Sequence, residues 1–277
     1  MRVRHHYCID ERESVVEFLK RYQISYEVIG MVGDKTIIFD IYEDQYSYEM
    51  FKKSFPMLSI SSFKNLEFSK EDIEKSKWLM VSCRGTNVEY VFQKEAFQYS
   101  CPYKIPFHKK PFYRHFKQIS NLTVEKNVKW GKRQFFSGPN SMENIIFCSE
   151  RTKNILENRW EGLQFKNVIN KKGNDYIDDL YQLFFENSIS FSAFVDAKSV
   201  RCHKCRKKMI LVSDCIFKIK EEYLQDSSKV YQTGEVITDG RIFGETVVLY
   251  IVPQEFYRYC EERGMNRGMD YRPVELV

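Results

Sequence analysis

The sequence predicts an α+β protein with a small N-terminal α/β unit and a larger, mostly antiparallel, β-rich C-terminal unit. Helix and strand patterns alternate over the first hundred residues, and strand patterns dominate the second half. Pro102, Pro106 and Pro111 fall close together between the halves, where they disfavour regular structure. We therefore expect an N-terminal unit at 1–100, a linker or arm at 101–133 and a C-terminal domain at 134–277.

The N-terminal unit contains local signals for three elements. Residues 13–22 carry apolar side chains three and four positions apart, which predicts a helix with one buried face. Residues 35–42 are rich in β-branched and aromatic side chains and predict a strand. Helical spacing returns over 46–55, and Pro56 should end that helix.

A capping pattern precedes the last elements of this unit. Ser69 can accept a hydrogen bond from a free backbone N–H group while Asp72 bonds back, and this variant of the capping box opens a helix through about Lys77. The apolar run 78–82 then predicts a strand.

The C-terminal domain is predicted to consist mostly of strands. They cover residues 143–148, 163–169, 180–185, 209–217, 229–237 and 246–252. Residues 146–168 and 250–274 look like two copies of one strand–helix–strand unit. Ser149 suits a helix N-cap and its counterpart Pro253 suits the first helical turn, while Gly162 and Gly268 would each turn the chain into the outgoing strand. Chance similarity of two amphipathic segments is the alternative.

Positive charge is concentrated in two segments. The formal charge of the 277-residue chain is +5. Between 101 and 133 nine basic residues face only Glu125, and residues 198–208 hold six basic residues and no acidic one. Such segments steer an anionic partner toward one side of a protein, although runs of like charge are also typical of solvated loops. The predicted partner-binding residues are Lys109, Lys110, Arg114, Lys117, Lys132 and Arg133.

No signal for export or membrane insertion is evident. The chain lacks a long apolar run, and its start, Met-Arg-Val-Arg-His-His, lacks the apolar core of a signal peptide. We therefore expect a cytoplasmic protein with no membrane partner. A disulfide framework is not expected for its eight cysteines, and those in apolar stretches, such as Cys148, should behave as small buried hydrophobic residues.

Cys202-His-Lys-Cys205 is the sharpest chemical motif. Two thiolates at this spacing can grip one zinc ion from a tight turn, and the surrounding cations would lower their pKa values. Further ligands would have to come from residues such as Cys215, His203 or His115. Two alternatives stay open. A thioredoxin-like redox pair should precede a helix, whereas a strand is predicted at 209–212, and the simplest alternative is two reduced thiols in a β-hairpin.

The basic arm also contains many aromatic residues. Tyr103, Phe107, Phe112, Tyr113, Phe116 and Trp130 are interleaved with its cations. Aromatic faces stack on unpaired bases while Lys and Arg follow phosphates, so this composition fits a nucleic-acid-binding module with a zinc knuckle beside it. It fits equally an arm whose rings dock on the protein's own core, which we favour.

Local signatures of enzymes are not found. The chain has no phosphate-binding glycine loop, no nucleophile elbow and no paired-histidine zinc helix. Asp175, Asp178 and Asp179 could act as acid and base or hold a metal, but a solvated loop is the simpler interpretation. An enzyme whose site is dispersed in the sequence therefore stays a third hypothesis.

Residues 145–205 resemble a known family. A strand running into Ser149-Glu-Arg, a helix, Gly162-Leu-Gln-Phe165, a strand at 180–183 and the basic Cys-x-x-Cys are similar to immunity proteins of bacterial polymorphic-toxin systems, in the group named for its double Cys-x-x-Cys-Gly motif. Here Arg206 replaces the glycine, and a second pair is missing. The resemblance implies a cytoplasmic, non-enzymatic protein that neutralises a toxin by binding it, with a zinc site at Cys202 and Cys205.

Overall fold

The computed structural model places the chain in two compact units, Met1–Asp72 (unit 1) and Ile73–Val277 (unit 2). The class is α+β with mostly antiparallel sheets, which confirms the predicted fold class. The described residues are 1–31, 34–59, 63–83, 97–99, 116–124, 129–137, 145–173, 175–195, 197–201, 208–212, 217–234, 236–238 and 248–277.

Unit 1 contains a four-stranded antiparallel sheet. Its elements are β1 (Arg2–Asp10), α1 (Glu13–Arg21), β2 (Tyr26–Met31), β3 (Asp34–Tyr42), α2 (Tyr46–Ser54), α3 (Pro56–Ser59), β4 (Phe63–Glu67) and α4 (Lys70–Lys75), the last of which continues into unit 2. The strand order is β2-β3-β1-β4 and each neighbouring pair is antiparallel. β1 and β2, which α1 connects, therefore run parallel with β3 between them, and this is the split βαβ arrangement.

Aromatic rings fill the core of unit 1. The Tyr7 ring lies 4.9 Å from those of Phe39 and Phe51, and the Phe18 ring lies 5.4 Å from Phe51. Tyr7 and Phe51 are fully buried. Because side chains alternate along a strand, Tyr7 points into this core while its neighbour Cys8 is exposed.

The predicted capping box opens α4. The Asp72 N–H donates to Ser69 Oγ at 3.1 Å, and the Ser69 N–H donates to Asp72 Oδ2 at 2.8 Å. The Met1 ammonium also contacts Asp72 Oδ2, at 2.7 Å. The hydrogen bond from this ammonium and those from Ser69 lower the pKa of Asp72 to about 2.

This ionisation gives a testable pH dependence. A carboxylate whose pKa is lower in the folded than in the unfolded chain stabilises the fold above pH ~4, and this contribution is lost as the pH falls toward 2. We expect Asp72→Asn to be less stable than the parent at pH 6 and to show a smaller loss between pH 4 and 2, measured as urea midpoints by circular dichroism. Asp10→Asn, at the exposed end of β1, is the control. An unchanged acid limb in Asp72→Asn would contradict the assignment.

Unit 2 combines strand–helix–strand segments with short strand pairs. Its elements are β5 (Trp78–Cys83), β6 (Phe97–Tyr99), β7 (Phe116–Gln118), β8 (Thr123–Val124), β9 (Phe135–Ser137), β10 (Ile146–Cys148), α5 (Glu150–Leu156), β11 (Leu163–Asn170), β12 (Tyr176–Phe185), β13 (Ser188–Ile189), β14 (Lys198–Arg201), β15 (Lys208–Val212), β16 (Phe217–Ile219), β17 (Tyr231–Thr233), β18 (Val236–Thr238), β19 (Tyr250–Pro253), α6 (Gln254–Glu262) and β20 (Met269–Leu276). The main sheets have the orders β8-β11-β12-β10-β9 and β13-β17-β19-β5-β20-β16.

The two main sheets share one five-strand pattern. In the first, β10 and β11 are joined by α5 and flank the antiparallel β12. In the second, β19 and β20 are joined by α6 and flank the antiparallel β5. An antiparallel strand, β9 or β17, lies outside each incoming strand, and a parallel strand, β8 or β16, lies outside each outgoing one. The predicted similarity of 146–168 and 250–274 therefore extends to the strand pairing around them.

Each copy of the repeat turns at a glycine. Gly162 and Gly268 directly precede β11 and β20 and have φ angles of +86° and +98°, which favour glycine. The starts of the two helices differ. Ser149 is the N-cap of α5 and accepts the Thr152 N–H at 3.2 Å, whereas Pro253 is the N-cap of α6 and not, as predicted, part of its first turn.

The two helices of the repeat share one core. The Trp160 ring, just beyond α5, lies 4.9 Å from Phe256 and 5.4 Å from Tyr259, both on α6. The same cluster takes apolar side chains from both main sheets, including Leu79, Ile146 and Val252. Unit 2 is therefore held together at the junction of its two copies.

The predicted boundary near residue 100 is corrected by the strand pairing. β5 lies between β19 and β20, so the chain from Ile73 onward belongs to unit 2 and the units divide within α4. Residue 100 itself, like most of the predicted linker, lies outside the described residues.

Several predicted strand limits also change. The segment predicted as one strand at 209–217 overlaps two strands, β15 and β16, and the segment at 229–237 overlaps β17 and β18. β12 begins at Tyr176, so Asp178 and Asp179 lie within a strand and not in the predicted loop. Pro56 ends α2 as predicted but also begins α3, because a proline fits the first turn of a helix.

Candidate functional site

Residues 129–133 of the predicted basic arm form a turn that is fixed to unit 2, and we call it the basic turn. The Trp130 side chain is partly buried, its Nε1 donates to the Asp179 carbonyl at 3.0 Å, and its ring lies 5.0 Å from that of Phe136. The Arg133 N–H donates to the Trp130 carbonyl at 3.0 Å, and Gly131 has a φ of +55°. This ring of the arm therefore docks on the protein's own core.

The basic turn presents cations at a defined place. Lys129 and Lys132 are exposed, and Arg133 is partly buried. The Arg133 side chain lies against Gly268, with its Cδ 3.6 Å from where a β-carbon on that glycine would stand. The exposed Arg267 directly precedes Gly268 in the chain. The basic turn therefore lies beside the chain segment that carries Arg267.

Only part of the predicted partner surface can be placed. Lys132 and Arg133 belong to the basic turn, and Lys117 lies in β7, which pairs with β6. The other predicted partner-binding residues, Lys109, Lys110 and Arg114, lie outside the described residues.

The predicted zinc ligands Cys202 and Cys205 also lie outside the described residues, as do Cys215, His203 and His115. The strands on either side are described. β14 and β15 pair antiparallel, with Arg201 opposite Lys208. A strand follows the cysteine pair, as the argument against a thioredoxin-like motif requires. Within the described part of the chain, no group of three His, Cys, Asp or Glu side chains could hold a metal ion.

Three of the cysteines in unit 2 are packing residues. Cys83, Cys148 and Cys260 are buried, and burial raises the pKa of each thiol, to about 12 for Cys260. The Cys83 thiol donates to the Met269 sulfur at 3.0 Å. Because only the thiolate is a strong nucleophile, these side chains are inert at neutral pH. The burial predicted for Cys148 is confirmed.

Asp179 has a structural role that the sequence did not reveal. Its Oδ1 accepts the Glu150 N–H at the start of α5, at 2.6 Å, and its φ of +59° is unusual for a residue other than glycine. The contact joins β12 to a helix that precedes it, so no local signal could have indicated it. Asp175 and Asp178 are exposed, although Asp178 lies within β12 and not in the predicted loop.

Both histidines of β1 contact carboxylates in unit 1. His5 is buried and its Nε2 lies 2.8 Å from Glu43 Oε1. His6 Nδ1 lies 2.8 Å from Asp40 Oδ1. These contacts tie β1 to β3 and to the turn after it.

Comparisons of the chain with known proteins identified no relative. Within the described residues, no helix is long and apolar enough to cross a membrane. The site features that can be placed are the basic turn with its docked tryptophan and the buried thiols. No protein-family model, curated protein or solved structure matches the chain.

Proposed function

We propose that the chain is a non-enzymatic binding protein of the immunity type, which neutralises a bacterial toxin by direct contact. The observation that carries this proposal is the basic turn, whose backbone is fixed to unit 2 by the docked Trp130. A surface that is already ordered loses little conformational entropy on binding, and its positive charge accelerates encounter with an acidic partner.

The side chains that could carry out chemistry in the described residues also support binding over catalysis. Burial keeps the thiols of Cys83, Cys148 and Cys260 protonated. Ser149 and Asp179 are used to cap α5. These groups stabilise the fold. Binding to a toxin, unlike catalysis, requires only a surface whose shape and charge complement those of the toxin.

The position of Trp130 favours a protein partner over a nucleic acid. A protein that binds single strands needs aromatic faces on which bases can stack. The Trp130 ring instead packs on Phe136, and its N–H group is bonded to Asp179. If the purified protein nevertheless retards single-stranded RNA at low salt, the nucleic-acid alternative replaces the present proposal.

Growth rescue tests the proposal directly. The product of the neighbouring coding region is expressed from an inducible promoter, with and without this chain. We expect the neighbour to arrest growth, the chain to restore it, and the two to copurify with the toxin's mass unchanged. A toxin that is covalently altered, or an arrest that the chain does not relieve, would contradict binding as the mechanism.

Charge reversal tests the surface. Lys129→Glu with Lys132→Glu should lower the association rate constant for the toxin about tenfold at 50 mM salt and much less at 500 mM salt, because the attraction is screened. Lys20→Glu with Lys53→Glu makes the same charge change at exposed positions on the helices of unit 1. Stopped-flow fluorescence gives both rates. Equal slowing by the two pairs would assign the effect to net charge and not to the basic turn.

A further inference from the structure

A cleft in unit 2 takes no part in the proposed function. Its volume is about 610 Å³, within the range of sites for small molecules. The first turn of α6, the start of β5 and the short 3-10 turn Glu221–Tyr223 enclose it. Its lining is mostly polar and includes Lys77, Gln254, Glu255 and Arg258.

The start of α6 lacks the side-chain caps that the equivalent helix start of the other repeat copy, that of α5, possesses. At the start of α5, Ser149 and Asp179 accept backbone N–H groups. In the register of the repeat, Lys77 stands in the place of Asp179, and Pro253 stands in the place of Ser149 and offers no side-chain acceptor. Lys77 supplies only its carbonyl, to the Gln254 N–H at 2.9 Å. The start of α6 therefore keeps the positive end of its helix dipole without a capping side chain from these two positions.

Gln254 provides the second, independent observation. Its side chain is only 6% exposed, and its Nε2 donates to the Glu74 carbonyl at 3.0 Å. Its Oε1 is buried and has no hydrogen-bond partner among the residues that the structure describes. A buried amide oxygen without a donor costs free energy, so a donor supplied by a ligand in the cleft would be favourable at this position.

Two charged side chains near Gln254 have no ion-pair partner among the described residues. Glu255 and Arg258 lie on α6 three residues apart, line the cleft and are exposed. Neither forms an ion pair with any other residue that the structure describes. The cleft thus offers a neutral acceptor, a carboxylate and a guanidinium group within one helical turn.

We propose that this cleft binds a zwitterionic ligand, a free α-amino acid or a short peptide. The ligand's ammonium group donates to Gln254 Oε1 and Glu255. Its carboxylate pairs with Arg258 and with the N–H groups that Pro253 leaves uncapped. A ligand with both charges supplies a partner for Gln254, Glu255 and Arg258 together. An anion would leave Gln254 without a donor, and a cation would leave Arg258 without an acceptor.

Calorimetric titration of the full chain tests the ligand class. The probes are the twenty free amino acids and a set of di- and tripeptides, which separate the two sources. We expect saturable binding of at least one probe and at least tenfold weaker binding of both its N-acetyl and its carboxamide derivative, because each lacks one charge. If no probe binds, or if the blocked derivatives bind equally well, the proposal is overturned.

Variants then test the site. Glu255→Gln and Arg258→Gln change exposed residues and should each weaken the bound probe about tenfold, while Arg267→Gln, an exposed arginine outside the cleft, should leave its affinity unchanged. Gln254→Leu should also weaken it, provided that thermal unfolding shows a folded protein. Unchanged affinity in both exposed variants would overturn the assignment even if the probe binds.

Discussion

Replacing Gly268 by alanine should destabilise unit 2 by about 3 kcal/mol. Gly268 has a φ of +98°, a conformation that costs a residue with a β-carbon ~1–2 kcal/mol. The new carbon would also stand 2.7 Å from the Phe135 carbonyl oxygen, which belongs to the backbone of β9 and cannot move without disturbing its pairing with β10. Urea unfolding followed by circular dichroism measures the loss.

Gly264 is the matched control for Gly268. Its φ of +65° is also positive, but nothing lies within 4 Å of where its β-carbon would stand. Gly264→Ala should therefore show the conformational cost alone, ~1 kcal/mol. If the two variants lose the same stability, the close approach between Gly268 and β9 has no energetic importance.

Phe256→Ala should cost about 4 kcal/mol, the largest loss that we expect from one substitution. Phe256 is fully buried on α6, and its ring lies 4.9 Å from Trp160. Truncation removes the buried ring and leaves a cavity where the two repeat copies meet, and such changes cost ~3–5 kcal/mol. The measurement is again the free energy of unfolding in urea.

Tyr176→Ala is the control for this truncation. Tyr176 is 61% exposed at the start of β12, so its removal should change stability by less than ~0.5 kcal/mol. A loss for Phe256→Ala no larger than that would mean that the junction of the two copies contributes little to unit 2.

Local patterns predicted the elements whose causes are local. α1 follows from apolar spacing and β3 from its β-branched and aromatic side chains, and the capping box at Ser69 and Asp72 was found where its side chains can reach their own helix. β1 was not predicted because its buried face includes the polar His5, which interrupts the apolar alternation typical of a strand. The partners of β5 could not be predicted, since nothing in an apolar run specifies which distant strands will flank it.

The sequence predicted which residue types occur in the candidate site but not the contacts that position them. The charges around Trp130 are evident in the sequence, and docking of its ring on the core was one of two readings that the composition allowed. The acceptor atom at Asp179 lies on a different strand, so its position required the fold. Gln254 likewise gives no signal in the sequence, because what distinguishes it is a buried side-chain oxygen without a hydrogen-bond donor among the described residues.

The placement of β5 between β19 and β20 has a consequence for how the chain is made. β5 is synthesised early, while both of its neighbours are at the C-terminus. On the ribosome, β9 to β12 can pair soon after they emerge, but the apolar Trp78–Cys83 strand must wait until β19 and β20 have been synthesised. Nascent chains released before α6 should therefore expose the unpaired apolar strand β5 and aggregate. Uninterrupted synthesis through β20 is thus a condition for obtaining this protein in its native state.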